Sequence, residues 1–250
     1  MSRWPVPTKI ASLFATQQQP ASLGPTAIGG HPKIGWAGLD SWLFLRSGGT
    51  GSGADGERST VFGGSQAGAV ARFRLAASPR SPEAHVRLTH APVRAGESEL
   101  AAGVSVRPWA HLPLRTHAEG RLMHVGGRTE LRPAAFVTAG ADNIRLPAGL
   151  EGRGYAQAGW VGGRFATGFA DGQAVVDREV ARFDLGVARA GAGAWAGVQK
   201  GIHRIDIGPS ASVALRAGAS PVRLSVDYRI RVDGEAEPAR GAAVTLSRSF

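Results

Sequence analysis

The sequence predicts an all-β protein, a single antiparallel transmembrane β-barrel of twelve strands. Three observations predict it. The first is a period-two alternation, clearest in "PVRLSVDYRIRVDG" (221–234). There Val222, Leu224, Val226, Tyr228, Ile230 and Val232 share one parity, and Arg223, Ser225, Asp227, Arg229 and Arg231 share the other. Such a segment is a strand with one apolar and one charged face. The second is strand length. Many alternating segments run to about 10–12 residues, where about 5–6 is usual, and eleven residues tilted by about 45° cross roughly 25 Å of bilayer. The third is the 36 glycines, which suit tight turns and weaken helices. A soluble sandwich with its apolar face inward would alternate in the same way and stays open at this point.

Residues 1–33 read as an N-terminal tail or linker, because "QQQPASLGPTAIGGHP" mixes Gln, Pro, Gly and Ser without period. Residues 34–250 read as the barrel. Its first strand, 36–46, ends where the glycine-rich "SGGTGSGADGERSTVFGGS" (47–65) begins. The second, 66–76, and third, 83–91, are parted by the proline turn "AASPRSP". Alternation then marks 98–107, 113–124 and 130–140. The next strands, 152–162 and 170–179, flank "GGRFATGF" (162–169), and 184–198 and 203–216 follow. The turn "RAGASP" leads into 221–232, and "DGEAEPAR" (233–240) leads into 241–250. An even count returns both ends of the barrel to one side, so the longer connections sort to the outer side and the short turns to the inner. The connection "ADNIRLPAGL" (141–150) is too long for an inner turn on this scheme.

Mean hydropathy is −0.08, and no run approaches the roughly 18 apolar residues of a membrane helix. A barrel escapes that test, since lumen residues dilute its lipid-facing ones. Cysteine is absent, which excludes disulfides, thiolate metal sites and a cysteine nucleophile. The beginning "MSRWPVPTKIASLFATQQQPAS" has only a six-residue apolar run, so the expectation is either a cytoplasmic chain or a start further upstream. Trp36, Trp42, Trp109, Trp160 and Trp195 lie at or near strands, as interfacial girdle residues or as ordinary packing.

Nothing in the sequence announces catalysis. The glycine clusters lack a phosphate-loop pattern, and "GGSQAG" (63–68) fails as a nucleophile elbow because Ala67 stands at the second glycine place. His85 and His90, like His111 and His117, lack metal-site spacing. No Ser–His–Asn set is recognisable, and the only asparagine, Asn143, falls in an expected turn. The expectation is no cofactor, no metal site and no enzyme.

The net charge of +10 is carried by 26 arginines and 3 lysines. It reads either as affinity for an anionic partner or as the codon usage of a GC-rich genome. A nucleic-acid binder gathers its charge into one patch, whereas these arginines are spread through strand after strand, so no nucleic-acid partner is expected. Alternate-position charge picks out a luminal set. It comprises Arg72, Arg74, Arg87, Arg115, Arg121, Arg204, Arg216, Arg223, Arg229 and Arg231, with Glu119, Asp206 and Asp227. On the lipid face each charge would cost about 2–4 kcal/mol near the midplane. Inside, the set is a candidate polymer-binding surface.

"GGSQAG", "VSVRPWAHLPLRTHAEGR", "GYAQAGWVGGRF", "FADG", "IHRIDIGPS" and "RLSVDYRIRV…TLSRSF" resemble the C-terminal barrels of bacteriophage-adsorption protein A and of tetratricopeptide-linked exopolysaccharide (cellulose-type) export proteins. The likeness spans residues 36–250. It implies a bacterial outer-membrane location, lipid and lipopolysaccharide around the barrel, and a periplasmic helical-repeat region upstream. It also implies that Val244, Leu246 and Phe250 form a signal read by the barrel-assembly machinery, from which Arg248 departs. The function expected is a passage or docking element for an anionic polysaccharide at the cell surface. The alternatives are a structural barrel or surface (phage-type) receptor with a plugged lumen, and then a soluble basic sandwich that binds polysaccharide or nucleic acid.

Overall fold

The computed structural model describes residues 36–47, 64–91, 97–125, 127–164, 166–217, 220–236 and 238–250. Twelve strands form it: β1 (Ala37–Arg46), β2 (Gln66–Arg74), β3 (Glu83–Ala91), β4 (Glu97–Val106), β5 (Leu114–Val125), β6 (Arg128–Arg145), β7 (Glu151–Val161), β8 (Thr167–Phe183), β9 (Gly186–Gln199), β10 (Ile202–Ala217), β11 (Ser220–Gly234) and β12 (Arg240–Ser249). Each pairs antiparallel with its chain neighbours, and β1 pairs with β12 to close the ring. A closed ring leaves no strand edge, and that allows a sheet to sit in lipid.

All twelve expected strands are present. The expected tail, and residues 48–63 of the 47–65 connection, lie outside the described residues. The long inner connection at 141–150 is corrected. β6 continues to Arg145 through an irregularity between Ala141 and Ile144, and Asn143 sits there with φ 56° rather than in a turn. Only 146–150 connect β6 to β7, with a short 3-10 turn at Pro147–Gly149. Asparagine tolerates that left-handed backbone better than most residues. β8 likewise outruns its expected bounds and leaves two residues before β9.

The faces decide between membrane and sandwich. Along β1 the buried residues are Asp40, Trp42, Phe44 and Arg46, and Leu39, Leu43 and Leu45 are exposed. On β3, His85, Arg87 and Thr89 are buried while Val86 and Leu88 are exposed. On β11, Asp227 and Arg229 are buried while Val226, Tyr228 and Ile230 are exposed. Leucines point out and arginines point in, the reverse of a soluble sandwich, so that reading falls. Lipid stabilises the outer face, and the inner face must satisfy its polar groups from its own side chains.

The outer face is not uniform. Over β7, β8 and β9 the positions alternating with the inward ones are small: Ala156 and Ala158, then Ala170, Gly172 and Ala174, then Ala192, Ala194 and Ala196. Trp42 and Trp195 belong to the interior and not to a girdle, whereas Trp36, Trp109 and Trp160 are exposed.

The charged lumen as candidate functional site

Inward positions recur at every second residue on strands about 4.8 Å apart, so side chains from neighbouring strands meet in layers. Three ionic clusters result. The first joins β3, β4 and β5. Glu119 accepts from Arg87 Nη2 at 2.8 Å, from Arg121 Nε at 2.5 Å, and contacts His85 Nε2 at 3.0 Å. Arg87 also reaches Glu99 at 2.9 Å. Arg121 lies 5.4 Å from the ring centroid of Phe136 and 5.7 Å from that of Phe169. One carboxylate thus serves two guanidiniums, and flanking rings hold Arg121 away from water.

The second cluster joins β1, β10 and β11. Asp206 Oδ2 accepts from Arg46 Nη2 at 3.0 Å and from Arg204 Nε at 2.6 Å. The remaining Arg204 nitrogens donate to the carbonyls of Ala236 and Pro238, at 2.8 and 2.5 Å, in the β11–β12 connection. Arg231 donates to Ala236 as well, at 2.7 Å. These bonds draw that connection inward, and Ala236 is buried. Asp227 accepts from Arg229 at 3.2 Å and from the Ser210 hydroxyl at 2.7 Å.

The third cluster sits at the end of the barrel where β1 begins. Asp177 is gripped by Arg153 and by Arg189 Nε, the latter at 2.5 Å, and Arg189 also meets Glu151 at 3.0 Å. On the same end Arg115 binds Glu83 at 3.1 Å, the Ser105 hydroxyl and the Ser81 carbonyl, and Arg72 pairs with Asp40.

Every member of the expected luminal set has inward parity. Arg87, Arg121, Arg204, Arg229, Glu119, Asp206 and Asp227 are buried, and Arg72, Arg115, Arg223 and Arg231 are half-buried. Arg74 is half-buried and Arg216 exposed, both at the end where β1 begins. The sequence reading missed Arg46, Arg132, Arg153 and Arg189 among the cations, and Asp40, Glu83, Glu99 and Asp177 among the carboxylates. On β1 the signal was present but masked. Asp40 and Arg46 bracket Trp42 and Phe44 on the same parity, so the inner face itself reads as apolar. His85 and His117 face inward while His90, of opposite parity to His85, is exposed. Among the described residues no group of three or more His, Asp or Glu is placed to hold a metal.

Val244, Leu246, Arg248 and Phe250 share the outer parity of β12, and the Arg248 guanidinium carbon lies 4.2 Å from the centroid of the Phe250 ring. Arg248 is therefore an outward charge laid along an aromatic ring near the strand end.

No family model and no curated protein matches the chain. Solved structures do. The β domain of the Bordetella autotransporter BrkA has 12% identity, with 86% of this chain and 97% of that chain covered at a TM-score of 0.44. A bacterial polysaccharide outer membrane secretin has 8% identity and the same coverages and score. LpxR from Salmonella typhimurium has 10% identity over 85% of this chain and 99% of that chain, at a TM-score of 0.44. A barrel of this fold can be an enzyme, so the expectation that the chain is none does not stand. A barrel wall without a recognisable Ser–His–Asn set does not exclude catalysis, because a lumen can assemble reacting groups from strands far apart in sequence. The closed twelve-stranded ring, its apolar outer face and its ionic interior make the chain a transmembrane β-barrel, the fold class of the outer-membrane proteins it is similar to.

Proposed function

We propose that the chain is an outer-membrane barrel with a lumen closed by its own ion pairs, which docks an anionic polymer at its ends rather than threading it through. The observation that carries this reading is the pairing of charge across the middle of the barrel. Arg121, Arg204 and Asp206 are each at most 2% exposed. Arg121 is paired with Glu119, Arg204 with Asp206, and Arg204 also takes the inward-drawn carbonyls of Ala236 and Pro238. A sliding anionic polymer needs accessible cations, and these are buried and paired with carboxylates. Arg74, Arg216 and Arg223 have inward parity near one end and enter no ion pair within 4.0 Å among the described residues, so they suit a docking surface better. Lipopolysaccharide around the barrel, assembly machinery reading Val244, Leu246 and Phe250, and an upstream periplasmic helical-repeat region belong to the same reading.

The test is conductance across planar bilayers. The wild-type barrel is expected to stay near the bare-membrane level, and Arg46→Ala with Arg204→Ala and Asp206→Ala to open a steady conductance. A large, steady wild-type conductance sinks the reading. The docking half is tested by retention of the barrel on an immobilised polyuronate. Arg74→Gln, Arg216→Gln and Arg223→Gln together should abolish it, and a neutral glucan should give none.

A further inference from the structure

The ion pairs of the second cluster are not balanced. Arg46, Arg204 and Arg229 bring three positive charges together, and Asp206 and Asp227 supply two negative ones. Arg46 faces Arg204, Arg229 and Asp206. Its side chain is 1% exposed, and only Nη2 is used, while Nε and Nη1 are buried without a partner. Arg229 also has a buried, unpartnered Nε. It lies 4.3 Å from the ring centroid of Trp195 and 5.1 Å from that of Phe44, so aromatic walls enclose this side of the cluster. Asp206 spends Oδ2 on both Arg46 and Arg204 and leaves Oδ1 without a donor.

Three unmet donors on two buried cations are costly, because each loses its hydration without replacement. Carbonyls from Ala236 and Pro238 satisfy Arg204 but carry no full charge. We propose that Arg46 and Arg229 bind one small monovalent anion, of halide size, between the Asp206 pair and the Phe44–Trp195 wall. The anion accepts from Nε of Arg46 and from Nε of Arg229, it cancels the surplus charge, and Nη1 of Arg46, on the opposite edge of the guanidinium, is left to water. Water meets the donors but leaves the charge uncompensated in a site of low dielectric. The inference rests on the closed-lumen reading, for which the anion is one more closing group.

The test compares thermal unfolding of the full chain in detergent micelles at constant ionic strength, in sodium chloride, sodium bromide and sodium gluconate. A halide-specific site raises the wild-type midpoint by about 2–4 °C over gluconate. The increment is expected to vanish in Arg46→Gln and to persist in Arg223→Gln. Crystals grown in bromide should give an anomalous peak beside Arg46 and Arg229, a readout that needs no variant to fold. Equal midpoints in all three salts, or bromide peaks only elsewhere, overturn the anion in favour of water. Low conductance in the same preparation would leave the closed lumen standing, so the two failures are distinguishable.

Discussion

Arg229 lies against the indole of Trp195 inside the barrel, its guanidinium carbon 4.3 Å from the ring centroid. Both side chains are buried, so this tryptophan packs against a luminal cation and does not mark the membrane boundary. Trp42, buried beside Val70, is interior in the same sense, whereas Trp160 is exposed on the outer face.

That division is measurable by fluorescence. Variants retaining one tryptophan each, reconstituted in lipid with brominated acyl chains, should show strong quenching of Trp160 and weak quenching of Trp42 and Trp195. Equal quenching of all three would mean that the faces of β1 and β9 are assigned wrongly.

Glu119 anchors two cations and one histidine, so neutralising it should be severe. Glu119→Gln is expected to destabilise the barrel by about 3–5 kcal/mol, the range for breaking a buried pair by removing one partner. Removing Arg87 as well, as Arg87→Met with Glu119→Gln, should cost less than the two single changes added together. Denaturant unfolding in micelles gives the three values. Strict additivity would place the pair in water instead.

Two glycines separate close approach from mere turn chemistry. A Cβ on Gly208 would fall 1.8 Å from the Tyr228 carbonyl oxygen, a position no side chain can take without moving backbone. A Cβ on Gly168 meets nothing nearer than the Gly159 carbonyl oxygen at 3.8 Å. Gly208→Ala should therefore lower the yield of heat-modifiable folded barrel several-fold, and Gly168→Ala should leave it unchanged. Comparable yields for both would show that β10 and β11 can separate locally at little cost.

At the C-terminal end of β12, Arg248→Tyr keeps an amphipathic side chain against Phe250 and should match the wild type in membrane insertion. Phe250→Ala removes the ring under the cation and should reduce insertion in cells more than it lowers the stability of protein refolded in detergent. Equal insertion of the wild type and both variants would count against any role of this pair in assembly.

The barrel was legible because period-two alternation survives wherever one face is lipid and the other is ionic. Val222 through Val232 fixes β11 almost by itself. β6 was harder to read, because the irregularity at Ala141–Ile144 shifts the register and Asn143 imitates a turn. The lumen was legible where arginine alternates with aliphatic residues, as at Arg87 beside Val86 and Leu88. It was illegible where large aromatics occupy the inner face, as at Trp42 and Phe44. Partnership was beyond the sequence altogether. Arg46 and Asp206 lie 160 positions apart and meet only because the ring leaves just β12 and β11 between β1 and β10.

That ring has a consequence for how the protein acquires its shape. Eleven of its twelve strand pairings join chain neighbours, and most of them can zip from a short turn. The β1–β12 pairing alone joins segments far apart in the chain, through seven aligned residue pairs from Asp40–Ser249 to Arg46–Ala243. Its closure entropy grows only as the logarithm of the chain enclosed, so it is a single, modest charge met once the curved sheet exists. An open, twelve-stranded sheet is then the natural penultimate species, and the seam is both the last junction to form and the first to part.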